Sequence, residues 1–123
     1  MYRVNIERHF DAAHYLRGYQ GKCEGLHGHR YRVVACLQAQ KTDEVGMAYD
    51  FTNFKKQLEN LLERFDHTCL NDVPPFKKQN PSAENIARTI FEDLKGKLDR
   101  PGLRLESVTV WESPDSWVEY RPD

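Results

Sequence analysis

The residues best suited to chemistry crowd near the N-terminus: His14 and the run Cys23-Glu24-Gly25-Leu26-His27-Gly28-His29. His27 and His29 lie two apart. On a strand that spacing puts both imidazoles on one face, because side chains alternate with period two. Gly28 between them has no side chain on the opposite face and lets another backbone come close. With His14 brought to the same place, three imidazoles would hold one divalent ion. A fourth position would stay open for water or substrate, the arrangement of a catalytic metal. Zinc suits the set because neutral imidazole binds it well and no thiolate-rich cluster is present; copper or nickel fit the same nitrogens.

Cys23 has two functional readings. It could close the site as a fourth ligand, or stand beside the metal as a base or nucleophile with its pKa lowered by the cation. A third reading, a small buried hydrophobe, suits a glycine-rich loop poorly. Cys36 and Cys69 lack such a context and read as structural. Asp66-His67 follows a helical stretch. A histidine is electrostatically favoured at a helix C-terminus, and a carboxylate-oriented histidine can also donate and accept protons. Glu112, after Trp111 at a strand end, is either a solvated carboxylate or a two-point acceptor for a guanidine-like edge. Two other classes compete with a catalytic metal enzyme of this kind. One is a structural metal protein closed by Cys23. The other is a metal-dependent hydrolase, but the His-Glu-x-x-His helix of one such class is missing.

The elements that must position these groups follow from hydrophobic periodicity. Tyr2, Val4, Ile6, Phe10, Ala12, His14 and Leu16 would share one face of a long first strand, interrupted by Arg8 and bulged near residues 9–13. Gly18 to Gly25 reads as a loop. A second strand from His27 to about Gln40 puts His27, His29, Tyr31, Val33, Ala35, Leu37 and Ala39 on one face. The two strands would pair antiparallel, so that His14 and His27 meet at the same end. Phe54, Leu58, Leu61, Leu62 and Phe65 have helical spacing over 51–65, capped by Asp50 or Thr52. Residues 71–79 read as a loop. Asn80-Pro81-Ser82 starts a second helix carrying Ile86, Ile90, Leu94 and Leu98. Two strands, about 103–112 and 116–121, close the chain.

The order β-β-α-α-β-β gives an α+β fold with two helices on one face of a four-stranded antiparallel sheet. Such a sheet has two free edges and a bare face, which closure of several subunits into a barrel would cover. The 123 residues suit a single domain, 1–123. Net charge is −1 with both signs spread along the chain. That argues against a nucleic-acid footprint or a polybasic membrane patch. No apolar run reaches the roughly 18 residues of a membrane span. The N-terminus lacks an apolar signal core. Three cysteines without paired spacing fit a reducing, cytoplasmic setting.

Several segments together resemble the 6-pyruvoyl-tetrahydropterin synthase family. They are Phe10-Asp11-Ala12-Ala13-His14, Cys23-x3-His27-Gly28-His29, Asp50-Phe51, Asp66-His67-x2-Leu70-Asn71, Asn80-Pro81-Ser82-Ala83-Glu84-Asn85-Ile86-Ala87 and Trp111-Glu112-Ser113. The three-residue spacer after Cys23 is similar to that of the bacterial 6-carboxy-tetrahydropterin synthases of queuosine and 7-deazapurine biosynthesis. The resemblance implies the tunnelling fold, or T-fold. It also implies a zinc-dependent lyase converting 7,8-dihydroneopterin triphosphate to 6-carboxy-5,6,7,8-tetrahydropterin, acetaldehyde and triphosphate. The 6-pyruvoyl activity on the same substrate is the main alternative. His14, His27 and His29 would bind zinc. Cys23 would be the general base, Asp66 and His67 its proton-relay partners, and Glu112 the anchor of the pterin ring. The implied assembly is a homohexamer, a dimer of trimers with active sites between subunits.

Overall fold

The computed structural model describes residues 1–18 and 25–123. Cys23 lies outside them, as does most of the glycine-rich loop. The strict alternation at the N-terminus builds β1, Tyr2–His14. Val4, Ile6, Phe10, Ala12 and His14 are buried on one face, with charged and polar residues on the other. Arg8 interrupts the buried face as an ion pair with Glu59. β2 spans His27–Ala39 and buries Tyr31, Val33, Ala35, Leu37 and Ala39.

β1 and β2 pair antiparallel in one unbroken register, from Tyr2 opposite Ala39 to His14 opposite His27. The bulge expected near residues 9–13 is therefore absent, and β1 stops at His14 rather than continuing to residue 16. The irregularity falls on the other side of β2. There Cys36 faces Ser107 and Leu37 faces Leu105, so Glu106 is the extra residue. Its carboxylate is held by Arg3 at 2.7 Å and Arg121 at 3.4 Å. A bulge suits a strand that must turn an acidic side chain toward two cations.

α1 spans Phe51–Leu62, and Asp50 caps it by accepting from the Thr52 N–H at 2.9 Å. The helix ends three residues earlier than its apolar spacing suggests. Phe65 is fully buried all the same, because the turn after Leu62 folds it back beside Phe10 and Phe76. A two-residue strand, β3 (Thr68–Cys69), then pairs parallel with Ala12 and Ala13, followed by a short 3-10 turn over Leu70–Asp72. This strand is too short to leave a periodic signal. It makes the sheet five-stranded, in the order β3-β1-β2-β4-β5. α2 spans Ala83–Leu98, with Ser82 as its cap, and buries Ile86, Ile90, Leu94 and Leu98 together with Ala87 and Phe91. β4 (Leu103–Ser113) and β5 (Ser116–Tyr120) complete the α+β architecture.

α1 packs on β1, and α2 on β4 and β5. The core lies between these helices and one face of the sheet. Its centre is the stack of Phe10 on Tyr31, ring centroids 4.8 Å apart, directly behind the three histidines. Replacing Phe10 by Ala is expected to lower the unfolding free energy by about 3–5 kcal/mol, as for other buried aromatic truncations. Urea denaturation at fixed protein concentration measures it. A loss below about 1 kcal/mol would show that this stack is not central to the core.

Candidate metal centre and its neighbours

The β1–β2 register decides the site. His14 faces His27 across the pair and Ala12 faces His29, so all three imidazoles share the core-side face at one end of the sheet. Their ring centroids lie 4.6, 4.7 and 5.2 Å apart in edge-to-face contacts. Glu112, near the end of β4, projects to the same place, with Oε1 3.3 Å from His29 Nε2. One atom from each of His14, His27, His29 and Glu112 fits within a 4.8 Å cluster. Beside it opens a pocket of about 450 Å³, lined by His29, Arg30, Arg32, Trp111 and Glu112 among others. Trp111 stacks on Trp117 with centroids 4.1 Å apart, and the Arg32 guanidinium lies 4.3 Å over Trp111.

Hydrogen bonding fixes the state of two rings. His14 Nδ1 lies 2.7 Å from the Pro81 carbonyl, and His27 Nδ1 lies 2.7 Å from the Gly25 carbonyl. A carbonyl only accepts, so each Nδ1 carries a proton, and in the neutral ring that leaves the lone pair on Nε2. Those two Nε2 atoms face each other at 3.0 Å. Two lone pairs at that distance repel unless a cation is placed to accept both. The third nitrogen, His29 Nε2, is buried and makes no well-formed hydrogen bond among the described residues, although Glu112 Oε1 lies 3.3 Å away. Three nitrogen donors, two of them locked as acceptors by carbonyls behind them, fit a divalent metal ion. This is the outer arrangement that orients metal-binding histidines.

Burial holds both His14 and His29 below the ordinary histidine pKa, and the neighbouring imidazoles push the same way, against the pull of Glu112. Neutral rings are the form that binds a metal. The same shift carries a sign for stability. The folded chain binds fewer protons here than the unfolded chain, so lowering the pH favours unfolding. The loss begins near the unfolded value of about 6.5 and continues toward the depressed folded values.

The second cluster is Asp11, Asp66 and His67. Asp66 Oδ1 accepts from the Asp11 N–H at 2.9 Å, and Oδ2 lies 2.9 Å from His67 Nδ1. The Asp11 amide, and then His67, hold the Asp66 carboxyl below the usual carboxylate range. His67 has φ +60°, the left-handed region that bulky residues rarely enter. Its own N–H donates to the Asp11 carbonyl at 2.6 Å, which secures that conformation. The imidazole itself points outward, 77% exposed. Asp11 and His14 lie three apart on β1, on opposite faces, and within one chain the two clusters stay separate.

Every candidate site residue among the described ones is thus placed: His14, His27, His29 and Glu112 together, Asp66 and His67 as a pair elsewhere. Cys23 lies outside the described residues. Cys36 is a buried thiol 3.3 Å from the Glu106 carboxylate. Burial, and then that carboxylate, push its pKa up to about 11, which leaves it unreactive. The Pro81 and Gly25 carbonyls escaped the sequence reading because backbone acceptors leave no mark in residue type. Arg30 and Arg32 did leave one, alternating with His29, but on the face turned away from the core.

Metal-free protein is expected to lose stability steadily as pH falls below about 6.5, the unfolded histidine value, toward the depressed folded values of His14 and His29. His29→Gln should flatten that fall. Urea midpoints of chelator-treated wild type and variant across this range test it, and identical slopes would contradict the burial argument.

Comparison with known proteins bears on what this arrangement is. Residues 3–123 match the family described as 6-pyruvoyl tetrahydropterin synthase. The 6-carboxy-5,6,7,8-tetrahydropterin synthase of Synechocystis sp. is 38% identical over 125 residues, covering 98% of this chain and 93% of that protein. The Bacillus subtilis protein of the same name is 31% identical over 128 residues, covering 98% and 86%. The structure of Caenorhabditis elegans 6-pyruvoyl tetrahydropterin synthase superposes with a TM-score of 0.85 at 33% identity, covering 100% of this chain and 98% of that one. With matches along almost its whole length, and the same fold, this chain belongs to the 6-pyruvoyl tetrahydropterin synthase family.

Proposed function

We propose that this chain converts 7,8-dihydroneopterin triphosphate into 6-carboxy-5,6,7,8-tetrahydropterin, acetaldehyde and triphosphate, with zinc held by His14, His27 and His29. It is a lyase of the pterin synthase family, and relatives bearing the 6-carboxy name cover nearly the whole chain. The observation that carries the reading is the pair of opposed Nε2 lone pairs on His14 and His27, in a cluster whose other members, His29 and Glu112, line a pocket of about 450 Å³, a size that suits a bicyclic ring. The product places the enzyme on the route to queuosine and related 7-deazapurines. Its free thiols, Cys36 and Cys69, fit a cytoplasmic setting.

The chain's own residues divide the work as follows. When bound, the metal ion supplies Lewis-acid polarisation to the hydroxyl oxygens of the substrate side chain. Glu112 accepts two hydrogen bonds from the amino-pyrimidinone edge of the pterin and fixes the ring in the pocket. Its carboxylate shares a 4.8 Å cluster with the three histidines and would stand beside the ion. Cys23 removes a proton from the substrate side chain. His67 moves protons on the other side, held in one tautomer by Asp66. For the triphosphate we propose Arg30, 68% exposed at the pocket rim on the face opposite the histidines.

Because His67 lies beside the sheet edge and apart from the metal cluster, we assign it to a neighbouring subunit's active site. β3 is one edge of the sheet and β5 the other, so pairing of unlike edges closes a ring of subunits. A trimeric barrel, doubled into a hexamer, is the assembly we propose.

The decisive experiment incubates purified protein with the substrate and identifies products by mass spectrometry, with and without chelator. Acetaldehyde and the carboxylated pterin are expected, lost on chelation. The 6-pyruvoyl product would favour the activity named for the Caenorhabditis elegans structure. Cys23→Ala is expected to abolish turnover while zinc stays bound. His67→Ala and His27→Ala, each inactive alone, should regain turnover when co-refolded. Failure to complement would place both residues in one subunit's site.

A further inference from the structure

His14 differs from the other two histidines in being almost wholly buried, at 1% exposure. Its aim is set by a carbonyl 67 positions away, that of Pro81, just before the cap of α2. The metal-binding face of His14 is therefore only as well placed as the junction between the end of β1 and the start of α2.

Two carboxamides make that junction. Asn71 accepts from the Tyr15 N–H and donates to the Tyr15 carbonyl, both at 3.0 Å. Asn80 does the same with Arg17, both at 2.9 Å. Each side chain reproduces the pair of bonds that a neighbouring strand would make. The chain past His14, irregular at Tyr15 and Leu16 and turning at Arg17 and Gly18, is thus held in place beyond the end of β1. Asn80 bears on His14 through its neighbour, because the Pro81 carbonyl that His14 Nδ1 meets follows it directly. Asn85 secures Asn80 in turn: its amide donates to the Asn80 carbonyl at 2.9 Å, and its backbone N–H donates to the Ser82 hydroxyl at 3.2 Å. The Arg17 guanidinium adds a bond to the Phe76 carbonyl at 3.0 Å, tying in the intervening loop.

We propose that Asn80 is a positioning residue of the metal centre. Its carboxamide fastens the Tyr15–Arg17 segment to the cap of α2, so that the Pro81 carbonyl orients His14 with Nε2 toward the ion. This rests on the metal reading above. It goes further in making an amide that touches neither metal nor substrate a determinant of metal affinity.

The test titrates zinc alone into metal-free protein against a chelating dye. Asn80→Ala is expected to weaken zinc binding by about 10–100-fold, the range for lost outer-shell partners. Asn80→Asp keeps the acceptor for the Arg17 N–H but loses the donor to its carbonyl, and is expected to weaken binding as well. Asp99→Ala serves as a control. It removes a 2.7 Å bond to the Leu105 N–H at the far end of α2, and should leave zinc affinity within about twofold whatever it does to stability. A second readout needs no metal. Nitrogen-15 spectra of the His14 ring should show the Nδ1–H form in wild type and a mixture of tautomers in Asn80→Ala. Unchanged zinc affinity and an unchanged tautomer in both Asn80 variants would overturn the proposal. Equal weakening by Asp99→Ala would overturn it too, since the effect would then be general destabilisation. If wild type itself takes up no zinc, the metal reading fails first, and the wild-type titration alone reveals that.

Discussion

Everything functional at the sheet's end depends on the pairing of β1 with β2. The register runs unbroken from Tyr2 opposite Ala39 to His14 opposite His27. A slip of one residue would send the three imidazoles to different faces and turn the apolar rows outward. The rows resist such a slip, because Phe10, Tyr31, Val33, Ala35 and Leu37 are all buried against the helices. Core packing thus sets the position of His14, His27 and His29 more firmly than their own contacts do. The Phe10–Tyr31 stack is where the two roles meet, with core on one side and the His14 and His29 rings on the other.

Packing places the rings, but it does not choose their protonation. That is left to the two carbonyls behind them. An imidazole buried in a core without a partner would shed its proton and rotate to whatever acceptor lay nearby. Here Pro81 and Gly25 hold the Nδ1 protons outward. The lone pairs are forced inward, toward each other, at a cost that a bound cation relieves. The helix cap therefore has two tasks: Ser82 satisfies the first turn of α2, and the preceding carbonyl is free to serve His14.

Periodicity makes much of this legible in the sequence alone. The alternation of β1 and β2 named the buried rows and brought His14 to His27. The helical spacing and caps of α1 and α2 were readable from Phe54, Leu58, Ser82, Ile86 and their neighbours. What escaped were features carried by backbone rather than side-chain type. β3 holds only Thr68 and Cys69, too short for any period. The bulge at Glu106 is an answer to Arg3 and Arg121, residues remote in sequence. His67 adopts a left-handed conformation with neither glycine nor asparagine to announce it. Asn71 and Asn80 read as loop and helix-start residues, and only the fold shows each of them standing in for a strand.

The exposed imidazole of His67 fits the multi-subunit assembly proposed above. A left-handed histidine costs about 1–3 kcal/mol, and such strain persists only where the surrounding structure over-determines it. The Asp11 backbone and the Asp66 carboxylate do so here, on both sides of the residue. The result of that constraint is a ring presented to solvent, where no core contact is gained by holding it. Strain kept for an outward-facing group makes sense when the group's partner arrives from outside. The sheet offers the means, since His67 stands beside the β3 edge while Glu112 ends the strand next to β5. Joining unlike edges brings those two ends of the sheet toward each other across a subunit boundary. The proposed assembly makes strain at His67 and the open edges of the sheet two consequences of one requirement, that a neighbour bring the His67 imidazole to the proposed metal centre.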